Sequence, residues 1–151
     1  MNKKTLLKVV LALVLATSAY FAYRTFYQPN TQDGVKELQL IIEVQEEDGS
    51  MKTIFDQRVE TETEILADFL LEMDKGDELQ IGLTGNVSDP YGRSLTSING
   101  YETTDWASGP WWLYDSENNI ECKEAEFCPG IDSCPIYDED IFVFSYTSTI
   151  E

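Results

Sequence analysis

The spacing of apolar residues along this chain changes several times, and each change marks a different element. From Val9 to Tyr23 the run is almost unbroken, with Thr17 and Ser18 as its polar interruptions. After a polar stretch from Gln28 to Gly34, "VKELQLIIEVQ" reads as a strand. "EEDGS" supplies a hairpin turn at Asp48-Gly49, and "KTIFDQRVE" returns as the partner strand. The period then becomes helical. In "TETEILADFLLEMDKG", Ile65, Leu66, Phe69, Leu70 and Met73 fall on one face. Thr61 with Glu64 three residues on predicts a capping box, Lys75 suits the negative end of the helix dipole, and Gly76 can take a left-handed stop.

Beyond the helix the pattern returns to alternation. "ELQIGLTG" places Leu79, Ile81 and Leu83 on one face, "NVSDPYG" has turn chemistry, and "RSLTSING" predicts a strand ending at Asn99-Gly100. "YETTDWASG" reads as a polar loop, "PWWLYD" as a short strand and "SENN" as a turn. A long loop with Pro129, Gly130 and Pro135 follows, and Asp138, Glu139 and Asp140 turn the chain into the last strand. There Phe142, Phe144 and Tyr146 face one way, Ile141 and Val143 the other. Hairpin, helix and further strands, in that order, predict an α+β domain in which one helix lies across a mixed sheet, a β-grasp-like layout.

The two adjacent tryptophans must point to opposite faces of their strand. Trp111 shares a face with aliphatic Leu113, so that face is expected against the helix, and Trp112 with Tyr114 is expected on the other side. Those two rings either cover the second face of the sheet or offer a flat amphipathic platform to a ligand. Trp106, in a loop with Gly and Thr neighbours, fits binding as well as packing.

Charge and cysteines place the chain. Lys3, Lys4 and Lys8 precede the apolar run, Arg24 follows it, and no acidic residue appears before Asp33. That order marks an export element: either a signal peptide cut near Ser18 or Ala19, or a retained membrane anchor with an interfacial belt of Tyr20, Phe21, Tyr23, Arg24 and Tyr27. The expected organisation is 1–27 signal or anchor, 28–35 linker and 36–151 domain, the last outside the cytoplasm at the cell surface or secreted. Four of the ten basic residues lie in the first thirty positions, leaving six against 28 acidic ones, a charge of about −22 that repels nucleic acid and anionic lipid. Cys122, Cys128 and Cys134, with five residues between successive ones, predict one local disulfide and one leftover thiol, and three pairings are open. There is no histidine, which removes Ser-His-Asp and Cys-His catalysis, and no phosphate-binding glycine loop. The chain therefore reads as a binding protein rather than an enzyme, with no cofactor required.

The stretch "LTSINGYETTDWASGPWWLYDSENN" resembles the transcobalamin C-terminal-like domain family, in which a strand ending Ile-Asn-Gly, a variable loop and a Trp-aromatic strand follow one another. The likeness reaches back to "TETEILADFLLE" and on through "PGIDSCPIYDEDIFVFSY". It implies a β-grasp-like domain and a small-molecule ligand, cobalamin or another corrinoid, passed to a membrane transporter or held with a second subunit completing the site. By position it implies ligand-facing Ser97, Asn99, Tyr101, Trp106, Trp112 and Tyr114. The helical barrel of the animal carriers has no counterpart here, the three-cysteine loop lies outside the family pattern, and Asp115–Asn119 replaces the usual Asn-Gly turn. Two other readings stand beside this one: a surface module docking a partner protein, and a divalent-cation-binding or structural ectodomain.

Overall fold

The structure, a computed structural model, describes residues 3–27, 30–125 and 127–149. They form two units, 1–30 and 31–151. The first contains one helix, α1 (Lys3–Tyr27). Among the described residues no helix is long and apolar enough to cross a membrane. The run Val9–Tyr23 accounts for this, since its length along a helix axis is about 22 Å against a hydrocarbon core of about 30 Å. The side chains of Arg24 and Tyr27 and the linker positions 28–29 lie outside the described residues.

The second unit is α+β, as the pattern predicts. Strands β1 (Lys36–Gln45) and β2 (Met51–Thr61) form the hairpin, helix α2 (Leu66–Lys75) follows, and β3 (Ile81–Thr84), β4 (Ser94–Ile98) and β5 (Tyr101–Glu102) make a small antiparallel sheet. Then come β6 (Trp111–Asp115), a short helix α3 (Ile120–Glu124), a 3-10 turn at Ile131–Ser133, and β7 (Ile141–Thr147). The main sheet has the order β2-β1-β7-β6, with β7 parallel to β1 and the other pairs antiparallel. Because β1 alternates, Leu38, Leu40, Ile42 and Val44 all reach the core, where they meet Leu66, Phe69, Leu70 and Met73 of α2 and Phe142 and Phe144 of β7. The core residues all lie in this second unit. Lys36 is fully buried, its ammonium donating to the carbonyls of Gln32 (2.6 Å) and Gly34 (3.0 Å). Those two bonds bring the end of the expected linker into the domain.

The helix begins later than its capping-box signal. Thr61 is still paired with Lys36 at the end of β2, and its hydroxyl binds the Glu72 carboxylate instead of a helix N–H. The cap comes from far along the chain. Ile65 bridges Pro135, and the Leu66 N–H donates to the Cys134 carbonyl at 3.0 Å. At the other end Gly76 has φ −78°, and Asp77 takes the left-handed turn at φ +58°. A non-local strand bridge thus takes the place of the local start signal, and the left-handed stop falls one residue later than the glycine.

The facing of β6 is the reverse of that expected. Register pairs Trp112 with Tyr146 and Tyr114 with Phe144, so the inward aromatic face of β7 draws Trp112 and Tyr114 inward with it. Trp112 is 9% exposed, whereas Leu113 is 39% exposed. Trp111, on the outer side, rests its ring on Gly109; a Cβ at that glycine would lie 2.8 Å from the indole. The paired aromatics outweigh the one aliphatic residue on which the sequence expectation rested.

Candidate functional site

Of the residues the family resemblance singles out, Tyr101 and Trp112 meet. The Trp112 indole N–H donates to the Tyr101 carbonyl at 2.9 Å, and both rings pack against Tyr146, with centroids 5.1 Å and 5.8 Å away. Tyr146 in turn donates its hydroxyl to the Glu102 carbonyl. This group ties the small sheet to the main one. Tyr114 lies further in, stacked on Phe144 at 5.3 Å with its hydroxyl donated to the Pro129 carbonyl. Burial raises the Tyr114 phenol well above its ordinary range and keeps it neutral. Ser97 lies across from Gly82, where a Cβ would come within 2.2 Å of the serine hydroxyl. Asn99 occupies a left-handed turn, and its side-chain oxygen accepts from the Gln80 N–H. Trp106 is 55% exposed on a loop pinned by Asp105, whose carboxylate accepts from the Ala107 N–H and the Ser108 hydroxyl; those bonds, the hydroxyl's foremost, hold the Asp105 carboxyl below its usual pKa. The Trp106 carbonyl accepts from the Trp111 indole at 3.1 Å. The contacts of these six do not close around one cavity; Tyr114 borders a trough over β1, β7 and β6, and Trp106 leaves its ring exposed.

A concavity of about 490 Å³ borders Tyr101, between positions 44–48 and Lys52, and a roomier one lies on the other face of the main sheet. The outward residues of β1, β7 and β6 form its floor: Ile41 is in register with Val143, Leu113 with Ser145, and Asp115 with Val143. Met51, at the start of β2, and Phe127, in the loop after α3, are walls. The trough measures about 1040 Å³, with Gln45, Thr147 and Thr149 also lining it, and with Asp115 and Glu117 as its charged residues. That is the upper end of small-molecule sites, which span about 300–1,000 Å³. Phe127 is 74% exposed and Met51 42%, so both walls offer apolar surface to the depression.

The wall carrying Phe127 is fastened at several points. Cys122 and Cys128 form a disulfide, which resolves the three open pairings and leaves Cys134 as the buried free thiol. Asn119, fully buried, caps α3 by accepting from the N–H groups of Glu121 (3.0 Å) and Cys122 (3.3 Å). Its amide donates to the Asp140 carboxylate (2.6 Å) and the Pro135 carbonyl (2.9 Å). Asn118 fixes the neighbouring strand start, accepting from the Ile141 N–H. The "SENN" turn is thus the polar knot joining β6 to β7. Desolvation raises the Asp140 pKa, opposed by the hydrogen bonds from Asn119 and Tyr137. Further on, Arg93 clasps Asp132 with a shortest contact of 2.5 Å and so holds the loop before β4 to the 3-10 turn. That hydrogen bond is the main cause holding the Asp132 carboxyl below its usual pKa.

Of the trough's lining the sequence expectation named Tyr114, and it missed the aliphatic floor. A signal was present: Ile141 and Val143 form a second apolar row behind Phe142 and Phe144, and Ile41 interrupts the polar row of β1. Ile41 set beside that row, in register with Val143, makes an apolar patch on the outer face.

No family model and no curated protein matches the chain. Among solved structures it is similar to a "putative metal binding protein" from Ruminococcus gnavus ATCC 29149, with 13% identity and a TM-score of 0.45, covering 74% of this chain and 98% of that one. A likeness of that degree bears on neither ligand nor site. Among the described residues no group of three or more carboxylates or cysteines converges to hold a metal ion.

Proposed function

We propose that this chain is an exported small-ligand-binding module and that its ligand lies in the trough over β1, β7 and β6. The observation that carries the reading is the concavity itself: about 1040 Å³, floored by Ile41, Leu113, Ile141 and Val143 and walled by Met51 and Phe127. A ligand site should be concave where a protein interface is flat, and Ile41, Leu113, Ile141 and Val143 bring apolar side chains from three adjacent strands to one outward surface. The Cys122–Cys128 disulfide supports an oxidising compartment and hence export. An apolar run of the length of Val9–Tyr23 is nearer to a signal-peptide core than to a membrane span.

The hairpin, helix and last strand in parallel beside the first support the β-grasp reading and, through it, the resemblance to the transcobalamin C-terminal-like family. A corrinoid is accordingly the first ligand to try, with a membrane transporter as recipient. The test is calorimetric titration of residues 31–151 with cobalamin and cobinamide, using the wild type and Leu113→Asp. The reading expects saturable binding that the outward Leu113→Asp change abolishes without loss of fold. Binding unaffected by Leu113→Asp would move the site away from the trough. Absence of corrinoid binding would remove the corrinoid and leave the trough to other ligands.

A further inference from the structure

The charged groups lining the trough have one sign. Among the described residues Asp115 and Glu117 are its ionic residues, and no lysine or arginine lines it. Asp115 ends β6 opposite Val143 on the floor, so a carboxylate stands at the edge of the apolar surface. One of its oxygens accepts from the Ser116 N–H at 2.7 Å and lies 3.7 Å from the Cys128 sulfur. The Asp115 side chain is thereby oriented by backbone and by the stapled loop. Phe127, on that same loop and 74% exposed, presents an aromatic ring to the same space. A π face with carboxylates beside an apolar floor is the combination that attracts an organic cation: the ring quadrupole and the carboxylates favour positive charge, and the floor takes the apolar body.

Resting on the trough as the ligand site, we infer that its ligand class is small organic cations with an apolar body, held by Phe127, Asp115 and Glu117. An anion of the same size meets two carboxylates and the field of a strongly acidic domain. A neutral molecule gains the floor alone.

Three environment-sensitive dyes of similar apolar size test this on residues 31–151: thioflavin T (cationic), Nile red (neutral) and the anionic naphthalene dye ANS. Thioflavin T should bind saturably and on the order of tenfold more tightly than Nile red, with ANS weakest. Asp115→Asn with Glu117→Gln should remove that preference, since the new amides keep shape and hydrogen bonding and lose the charge. Glu60→Gln with Glu62→Gln, at and just beyond the far end of β2 and outside the trough, should leave it intact. If Nile red binds as tightly as thioflavin T, and Leu113→Asp abolishes both, the trough reading stands and the cation preference falls. If both carboxylate pairs weaken thioflavin T equally, the diffuse field of the domain is the cause and the inference is overturned. If no dye binds, both readings fail.

Discussion

Trp112→Ala should be among the most damaging single changes in this domain, although sequence alone makes Trp112 the exposed partner of the pair. The ring is 9% exposed, packs on Tyr146 at 5.1 Å and donates its N–H to the Tyr101 carbonyl at 2.9 Å. A buried tryptophan covers about 200 Å², worth about 5 kcal/mol at about 25 cal/mol per Å². Truncations of this kind cost about 3–5 kcal/mol, a large share of the about 5–15 kcal/mol that holds a domain together. Trp112→Phe keeps most of the ring and leaves the Tyr101 carbonyl without its donor, for about 1–2 kcal/mol. Trp111→Ala removes a half-exposed ring resting on Gly109 and should cost about 1 kcal/mol. Urea denaturation of residues 31–151, followed by circular dichroism, measures all three. Trp111→Ala costing as much as Trp112→Ala would refute the assigned facing of β6, and with it the position of the trough.

Other outcomes follow from the loop and its fastenings. Replacing Cys122 and Cys128 by serine frees a loop of six-residue separation and should cost about 2 kcal/mol on the chain-entropy model. Asp132→Asn should cost about 2–3 kcal/mol at neutral pH, below the range for a fully buried pair because Asp68 still lies 3.8 Å from Arg93. Since the folded Asp132 carboxyl titrates below 3.8, its stabilisation is present above that value and lost as pH falls through the depressed one. The gap between wild type and Asp132→Asn should therefore close on acidification, and a gap constant down to pH 2 would contradict the ion pair. Burial pushes the Cys134 thiol up to about 12, so a thiol reagent should find no reactive group in the folded, disulfide-intact protein and one after unfolding.

Local pattern carried much of this fold. The alternation of β1 and β7, the apolar face of α2 and the Asp48-Gly49 turn are short-range signals, and the α+β layout follows from their order. What was illegible is decided across the chain. The start of α2 depends on Cys134 and Pro135, and the facing of β6 on its register with β7. The Asn119 knot depends on Asp140. The site was less legible than the fold, because aromatic residues mark core and ligand surface alike. Trp112 satisfied its polar atom inside the domain and Tyr114 both did so and borders the depression, whereas Leu113, Val143 and Phe127, ordinary in composition, line it without any aromatic-pair signal.

The most direct test is a methyl-resolved NMR titration of residues 31–151 with thioflavin T and cobinamide. Shifts confined to the methyls of Ile41, Leu113, Ile141 and Val143, with those of Leu38, Leu40 and Leu70 unmoved, are the predicted result. Shifts centred on the Trp106 indole and the Tyr101 ring, with the outer-face methyls silent, would contradict the account.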